Sequence, residues 1–282
     1  MSFFCNTRAS IVLTVLYVLN SWSLVGGEAQ YRVSSAHSWR QEKLDHLKFW
    51  LGRNGATFPK IDVAVVATTL PNGSRVAGDD ACGAFALDDI QAGEIIMFIP
   101  DHVMLTSSSV QLNEPVIRNM TEIALHTPMS KDQKLSQHGL LSVALLEQRQ
   151  RHENSFFAPY IDTLPRSMKH LPVFYGEQEQ HELAGTSLLR AIRSSRATIE
   201  RQWKNVVRLE PAFATRHTLS DFMWAFGNVA SRAFTKPMPK TEDTKTCVVP
   251  RILGPLHVNY VFCMCTVVCE QVSASRNIEW RI

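Results

Sequence analysis

The chain has 282 residues, 45% of them hydrophobic, and a formal net charge of +3. That length and apolar content suffice to bury the core of one large or two small domains. Lys and Arg are scattered rather than gathered into a stripe, so charge gives no reason to expect a nucleic-acid partner.

The first 29 residues have their own character. Arg8 precedes the apolar run Ile11-Val12-Leu13-Thr14-Val15-Leu16-Tyr17-Val18-Leu19, and the small residues Gly26, Gly27 and Ala29 follow. This order predicts a signal peptide over 1–29, cut before Gln30, and with it entry into the secretory pathway towards a lumen, the exterior or an organelle on that route. The run is shorter than the ~20 residues a membrane helix needs, so no stable span is expected once the leader is gone. Secretory entry would expose two sequons, Asn72-Gly73-Ser74 and Asn119-Met120-Thr121, both of which read as loops. Of six cysteines, Cys5 lies in the leader, Cys82 stands alone, and Cys247, Cys263, Cys265 and Cys269 crowd the tail. A disulfide framework would spread them through the fold.

Ser38 and Gln41 form a capping-box pattern, after which Leu44, Leu47, Trp50 and Leu51 recur at helical spacing until Gly52 and Gly55, predicting a helix of about four turns. Short β-rich segments at 61–69, 83–87 and 94–99, bounded by Gly and Asp, predict a small sheet. Leu140, Leu141, Ala144 and Leu145 mark one middle helix, and Leu188, Leu189, Ile192, Ile199, Trp203 and Val206 another. Between them Pro159 and Pro165 prevent a continuous helix over 156–165. Thr218 and Asp221 open a last helix, with Phe222, Ala225, Phe226, Val229, Ala230 and Ala233 as its apolar stripe. After Pro250 no turn chemistry and no evident partner strand accompany the apolar run 258–269, so 251–282 is expected to be a poorly ordered tail.

Three ordered segments carry a resemblance. They are Cys82-Gly83-Ala84-Phe85-Ala86 through Gly93-Glu94 to Ile99-Pro100, Ser155-Phe156-Phe157-Ala158-Pro159-Tyr160 through Pro165, and Thr218 to Trp224-Ala225 with Ser231-Arg232-Ala233-Phe234. In order and spacing they resemble the SET-domain protein methyltransferases of the Rubisco large-subunit methyltransferase type, over roughly residues 40 to 250. The resemblance implies an α+β fold of small SET-type β-sheets with a large helical insert. It places the first SET strands in 30–110, the insert in 111–217 and the return into the SET domain in 218–250. It also implies S-adenosyl-L-methionine as cofactor and a protein substrate, methylated on lysine or, in a minority branch, on histidine.

Such a reaction is an in-line displacement at a methyl carbon. The protein must bind a sulfonium ligand, align a neutral amine behind the methyl group and turn oxygen atoms towards developing positive charge. The resemblance assigns cofactor binding to Glu94, Ile95 and Ile96 at the strand after the Gly-Glu turn. A carboxylate there accepts hydrogen bonds from the ligand's ammonium or ribose hydroxyls, while strand N–H and C=O groups meet the adenine edge. Gly83 falls at an Arg-Gly position of the family, with Cys82 in place of the arginine. Arg232 falls where the family sets an arginine against the cofactor carboxylate; read without the family, it is a helix-end arginine meeting the last carbonyls.

Beyond Val249-Pro250 the pattern departs. Leu253 stands at the family's Asp place and Leu256 at its Asn place; only His257 matches, as a further cofactor residue. Leucine neither donates nor accepts a hydrogen bond. Tyr260 stands too close to His257 for the family's channel tyrosine, so no catalytic residue is assigned and the closing C-terminal segment reads as absent or degenerate. These departures imply weak cofactor binding and poor transfer. The alternative they suggest is a non-catalytic, truncated or degenerate relative serving as a protein-binding module. His257 with Cys263, Cys265 and Cys269 lacks the paired Cys-x-x-Cys spacing of structural zinc sites, and no metal is expected.

Overall fold

The computed structural model describes residues 32–33, 39–67, 81–90, 94–169, 171–237, 258–262, 270–272 and 278–281. The leader, the Asn72 sequon, Val249-Pro250, Leu253, Leu256, His257 and the cysteines other than Cys82 lie outside these residues. The chain divides into two compact units, one of 1–37 with 64–83 and one of 38–63 with 84–282.

Strand β1 (Arg32–Val33), in the smaller unit, runs antiparallel to the end of β2 (Ile61–Ala67), whose residues from Ala64 on belong to that unit, with Arg32 opposite Ala67 and Val33 opposite Val66. The third strand of this sheet is β3 (Ala81–Ala86), next to β2.

The larger unit opens with helix α1 (Trp39–Arg53), which buries Leu44, Leu47 and Leu51. It stops where Gly55 adopts φ 84°, a left-handed turn open to glycine without a Cβ penalty. The N–H of Ala56 donates to the Leu51 carbonyl at 3.0 Å and that of Gly55 to Gly52 at 3.1 Å, so the last carbonyls of the helix are satisfied. Segment 156–166 lies against this helix: Trp50 meets Phe156 edge-on at 5.1 Å, Lys43 pairs with Asp162 at 3.6 Å, and the Arg166 guanidinium lies 5.3 Å from the Trp39 ring. Its two prolines leave it only a four-residue helix, α5 (Ala158–Ile161).

Two further three-stranded sheets complete the strands. Strand β4 (Ile95–Ile99) pairs antiparallel with β9 (Ile278–Arg281), and β9 with β8 (Glu270–Val272). Strand β5 (Leu105–Thr106) pairs with β7 (Val258–Phe262), and β7 with β6 (Ala233–Pro237). Here the structure differs from the expectation of a tail without partner strands. Strands β4, β5 and β6 each present a row of main-chain N–H and C=O groups, and short strands from the tail pair with them.

The core of the larger unit is helical. Helix α4 (Gln137–Gln150), capped by Ser136, is buried on almost all sides, with Leu140, Leu141, Val143, Ala144, Leu145 and Leu146 at 3% exposure or less. It packs against α7 (Ser187–Leu209) and α9 (Leu219–Arg232). Helices α2 (Ser107–Asn113) and α3 (Pro115–His126) were not expected from the apolar pattern, and α3 corrects the loop reading of the second sequon. Asn119 lies inside α3, where its amide donates to Glu210 at 2.7 Å. Proline at the first helical position supplies the φ that starts this helix.

Candidate functional site

Two clusters in the larger unit contain the residues singled out from sequence. The first surrounds the start of β4. Ile95 lies opposite Arg281 and Met97 opposite Trp280, so Ile96 is an extra residue on the β4 side of the ladder. Such a bulge interrupts regular pairing, bends the strand and re-aims its groups. The Ile96 side chain is fully buried, so any contact to a ligand from this residue falls to its main chain. Across the other edge of β4, the N–H of Thr57 donates to Phe98 at 3.0 Å and that of Phe98 returns a bond at 2.9 Å. The incoming segment 57–60 is thereby fixed beside the strand.

Lys60 then reaches the Glu94 carboxylate. Its Nζ lies 3.4 Å from Glu94 Oε1, 3.4 Å from Asp88 Oδ2 and 3.4 Å from the Asp89 carbonyl, while its own carbonyl accepts from the Leu87 N–H at 2.9 Å. The bond to Asp88, assisted by Glu94, raises the Lys60 pKa, so the group remains an ammonium through the neutral range. The Asp89 N–H donates to Asp88 at 2.8 Å; that bond first, and Lys60 second, lower the Asp88 pKa. Glu94 is about one-third exposed. Sequence reasoning picked out Glu94 and missed Lys60, whose partners lie 28 and 34 positions away.

The second cluster lies at the end of α9. Thr218 caps this helix: its hydroxyl accepts from the Asp221 N–H at 3.2 Å, and its own N–H donates to the Asp221 carboxylate at 2.9 Å. Fourteen residues later Arg232 Nη1 donates to Asn228 Oδ1 at 3.0 Å and lies 2.8 Å from Ser231 Oγ. Asn228 is fully buried, and its Nδ2 donates to the Trp224 carbonyl at 3.0 Å. With the amide nitrogen thus used, the amide oxygen faces the guanidinium. The expected stripe of α9 is wider than predicted: Trp224, Gly227 and Asn228 are buried beside Phe222, Ala225 and Val229, whereas Ala230 is exposed. Packing on both flanks of the helix accounts for the difference. Gly227 lies where an added Cβ would stand 2.9 Å from the Phe174 ring.

Topology links the clusters. β4 continues through the turn at Asp101–Val103 into β5, and α9 runs directly into β6, in the sheet that β5 and β6 share through β7. His257 is outside the described residues, and Gly83 contributes main chain in β3. Among the described residues no group of three His, Cys, Asp or Glu side chains is arranged to hold a metal, and no helix is long and apolar enough to cross a membrane.

No protein-family model matches the chain. The chain is 38% identical over 102 residues to the chloroplastic fructose-bisphosphate aldolase lysine N-methyltransferase of Arabidopsis thaliana, covering 34% of this chain and 21% of that protein. It is 28% identical over 166 residues to the chloroplastic Rubisco large-subunit N-methyltransferase of Nicotiana tabacum, covering 56% and 30%. The crystal structure of the SET domain of LSMT bound to lysine and AdoHcy matches with a TM-score of 0.54 at 23% identity, over 70% of this chain and 40% of that one. The chain therefore spans a fifth to a third of the length of these two relatives. It shares the α+β SET fold and resembles these methyltransferases in sequence.

Proposed function

We propose that this chain, built on the SET fold and similar in sequence to SET-domain protein methyltransferases, is an S-adenosyl-L-methionine-dependent protein methyltransferase acting on lysine. The observation that carries the reading is the bulge at Ile96, two residues after Glu94, at the strand start where the resemblance puts the cofactor. The residues fit such a ligand. Glu94 offers carboxylate oxygens to an ammonium or hydroxyls, the bulged main chain offers N–H and C=O to an adenine edge, and Arg232 offers a guanidinium to a carboxylate.

The cofactor supplies the methyl group. With the cofactor bound, a lysine that has first lost its proton to solvent would form the new N–C bond with its lone pair while the C–S bond would break with its electrons left on sulfur. The chain's own part is to bind and orient. Arg232 is aimed by Asn228, and Glu94 is held by the segment carrying Lys60. Positioning of this kind lowers barriers by roughly 7–11 kcal/mol in favourable cases.

Leu253 and Leu256 remove polar contacts that the family's Asp and Asn would provide, so weak cofactor affinity and slow turnover are expected. The leader reading adds a compartment, in which the protein substrate is one met along the secretory route. Transfer of a labelled methyl group from the cofactor to protein extracts, followed by amino-acid analysis, tests the proposal. Label in methyl-lysine supports it; label in methyl-histidine moves the acceptor, and no label above a heat-treated control sinks it.

A further inference from the structure

The Glu94 carboxylate assigned to the cofactor already has a cation beside it. We infer that Lys60 is an affinity-determining residue of the cofactor site, an internal counter-ion that occupies Glu94 and must be displaced when the ligand's ammonium arrives. This inference rests on the methyltransferase reading above.

The geometry carries it. Lys60 sits on the segment clamped to β4 by the two Thr57–Phe98 bonds, and its carbonyl is held by Leu87, so its ammonium is delivered to Glu94 from a fixed stem. A compact ammonium 3.4 Å from one carboxylate oxygen presents the same charge and donors that the α-ammonium of an amino-acid-bearing ligand would present there. Two cations cannot fill the same lone pairs without mutual repulsion, so one yields.

Asp88 and the Asp89 carbonyl give the displaced Lys60 a second set of acceptors, each already at 3.4 Å. The exchange therefore leaves no cation without a partner. The raised pKa of Lys60 supports this arrangement, because deprotonation does not vacate Glu94 at neutral pH.

The test is calorimetric titration of the full chain with S-adenosyl-L-methionine, comparing wild type, Lys60→Met, Glu94→Gln and the double variant. Methionine keeps the length and apolar stem of the side chain while removing its charge. Lys60→Met is expected to tighten binding about threefold, the scale of a partly exposed ion pair. In the Glu94→Gln background the same change is expected to leave affinity unchanged. Weaker binding by Lys60→Met, or an equal gain with and without Glu94, overturns the counter-ion role. Equal, measurable affinity in wild type and Lys60→Met overturns it while leaving the methyltransferase reading intact. No binding in any of the four proteins overturns both.

Discussion

At the scale of single residues, the arginine at the end of α9 is held by an asparagine that sequence patterning treats as one more helix position. Asn228 divides its amide between the Trp224 carbonyl and Arg232 in a site with no exposure. Replacing it with alanine leaves a cavity and a guanidinium short of one acceptor. Asn228→Ala is expected to cost about 1–3 kcal/mol of stability by urea denaturation and to weaken cofactor binding more than that loss of folded protein explains. Unchanged stability would mean that the buried amide contributes nothing. Arg232 and Glu94 were picked out as candidates from their place in ordered motifs. Lys60 and Asn228 were not, because the bonds that matter run through folded geometry and lie in no recognisable pattern.

At the scale of elements, caps and close approaches decide which helices hold. The Thr218–Asp221 box on α9 was readable from sequence, since both residues stand at the spacing the reciprocal bonds require. Its pH dependence follows. The hydrogen bond from the Thr218 hydroxyl, then its N–H and the nearby Arg149 and His217, hold the Asp221 carboxyl below its ordinary 3.8, against the opposing effect of partial burial. A depressed folded pKa contributes stability above the unfolded value, and that contribution disappears as pH falls through the folded one. Thermal unfolding of Asp221→Asn is therefore expected to lie below wild type at neutral pH and to converge with it well under pH 3.8. A gap that persists in acid would assign the effect to shape rather than charge.

Glycine packing makes a second case at this scale. Gly227 brings α9 against the Phe174 ring, and a methyl group there overlaps the ring edge. Gly227→Ala is expected to destabilise by roughly 1–3 kcal/mol, despite alanine's higher helix propensity. A stabilised variant would show that the ring moves freely. Helix α3 has a proline at its start and an apolar face that buries Ile117 and Met120, but the Asn119 sequon drew a loop reading over that signal. Its Asn119 is now tied to Glu210, so a glycan is not expected there in the folded protein. A peptide:N-glycosidase-sensitive mass at Asn119 would contradict that.

At the scale of the whole molecule, the first two-thirds of the chain could be read and the tail could not. Apolar period and turn residues specify α1, α4, α7 and α9 locally, whereas the small sheet expected from 61–69, 83–87 and 94–99 is divided, with β2 and β3 in one sheet and β4 in another. Strands β7 and β9 are specified by the edges of β4, β5 and β6, which lie at least 21 residues earlier in the chain, counting from Pro237 to Val258, and β8 pairs in turn with β9. Removing residues 258–282 is expected to uncover those edges and promote aggregation, measurable by light scattering during refolding. A monodisperse, equally stable truncation would mean that the tail pairs contribute nothing to the fold.

The central claim is that Glu94, the bulge at Ile96 and Arg232 serve one cofactor. Its most direct test is a crystal structure of the chain grown with S-adenosylhomocysteine. The ligand is expected with its adenine along the β4 bulge and its carboxylate within hydrogen-bonding distance of Arg232, with Lys60 turned from Glu94 towards Asp88. Glu94 and Arg232 on opposite faces, or the ligand bound away from both, would contradict the account.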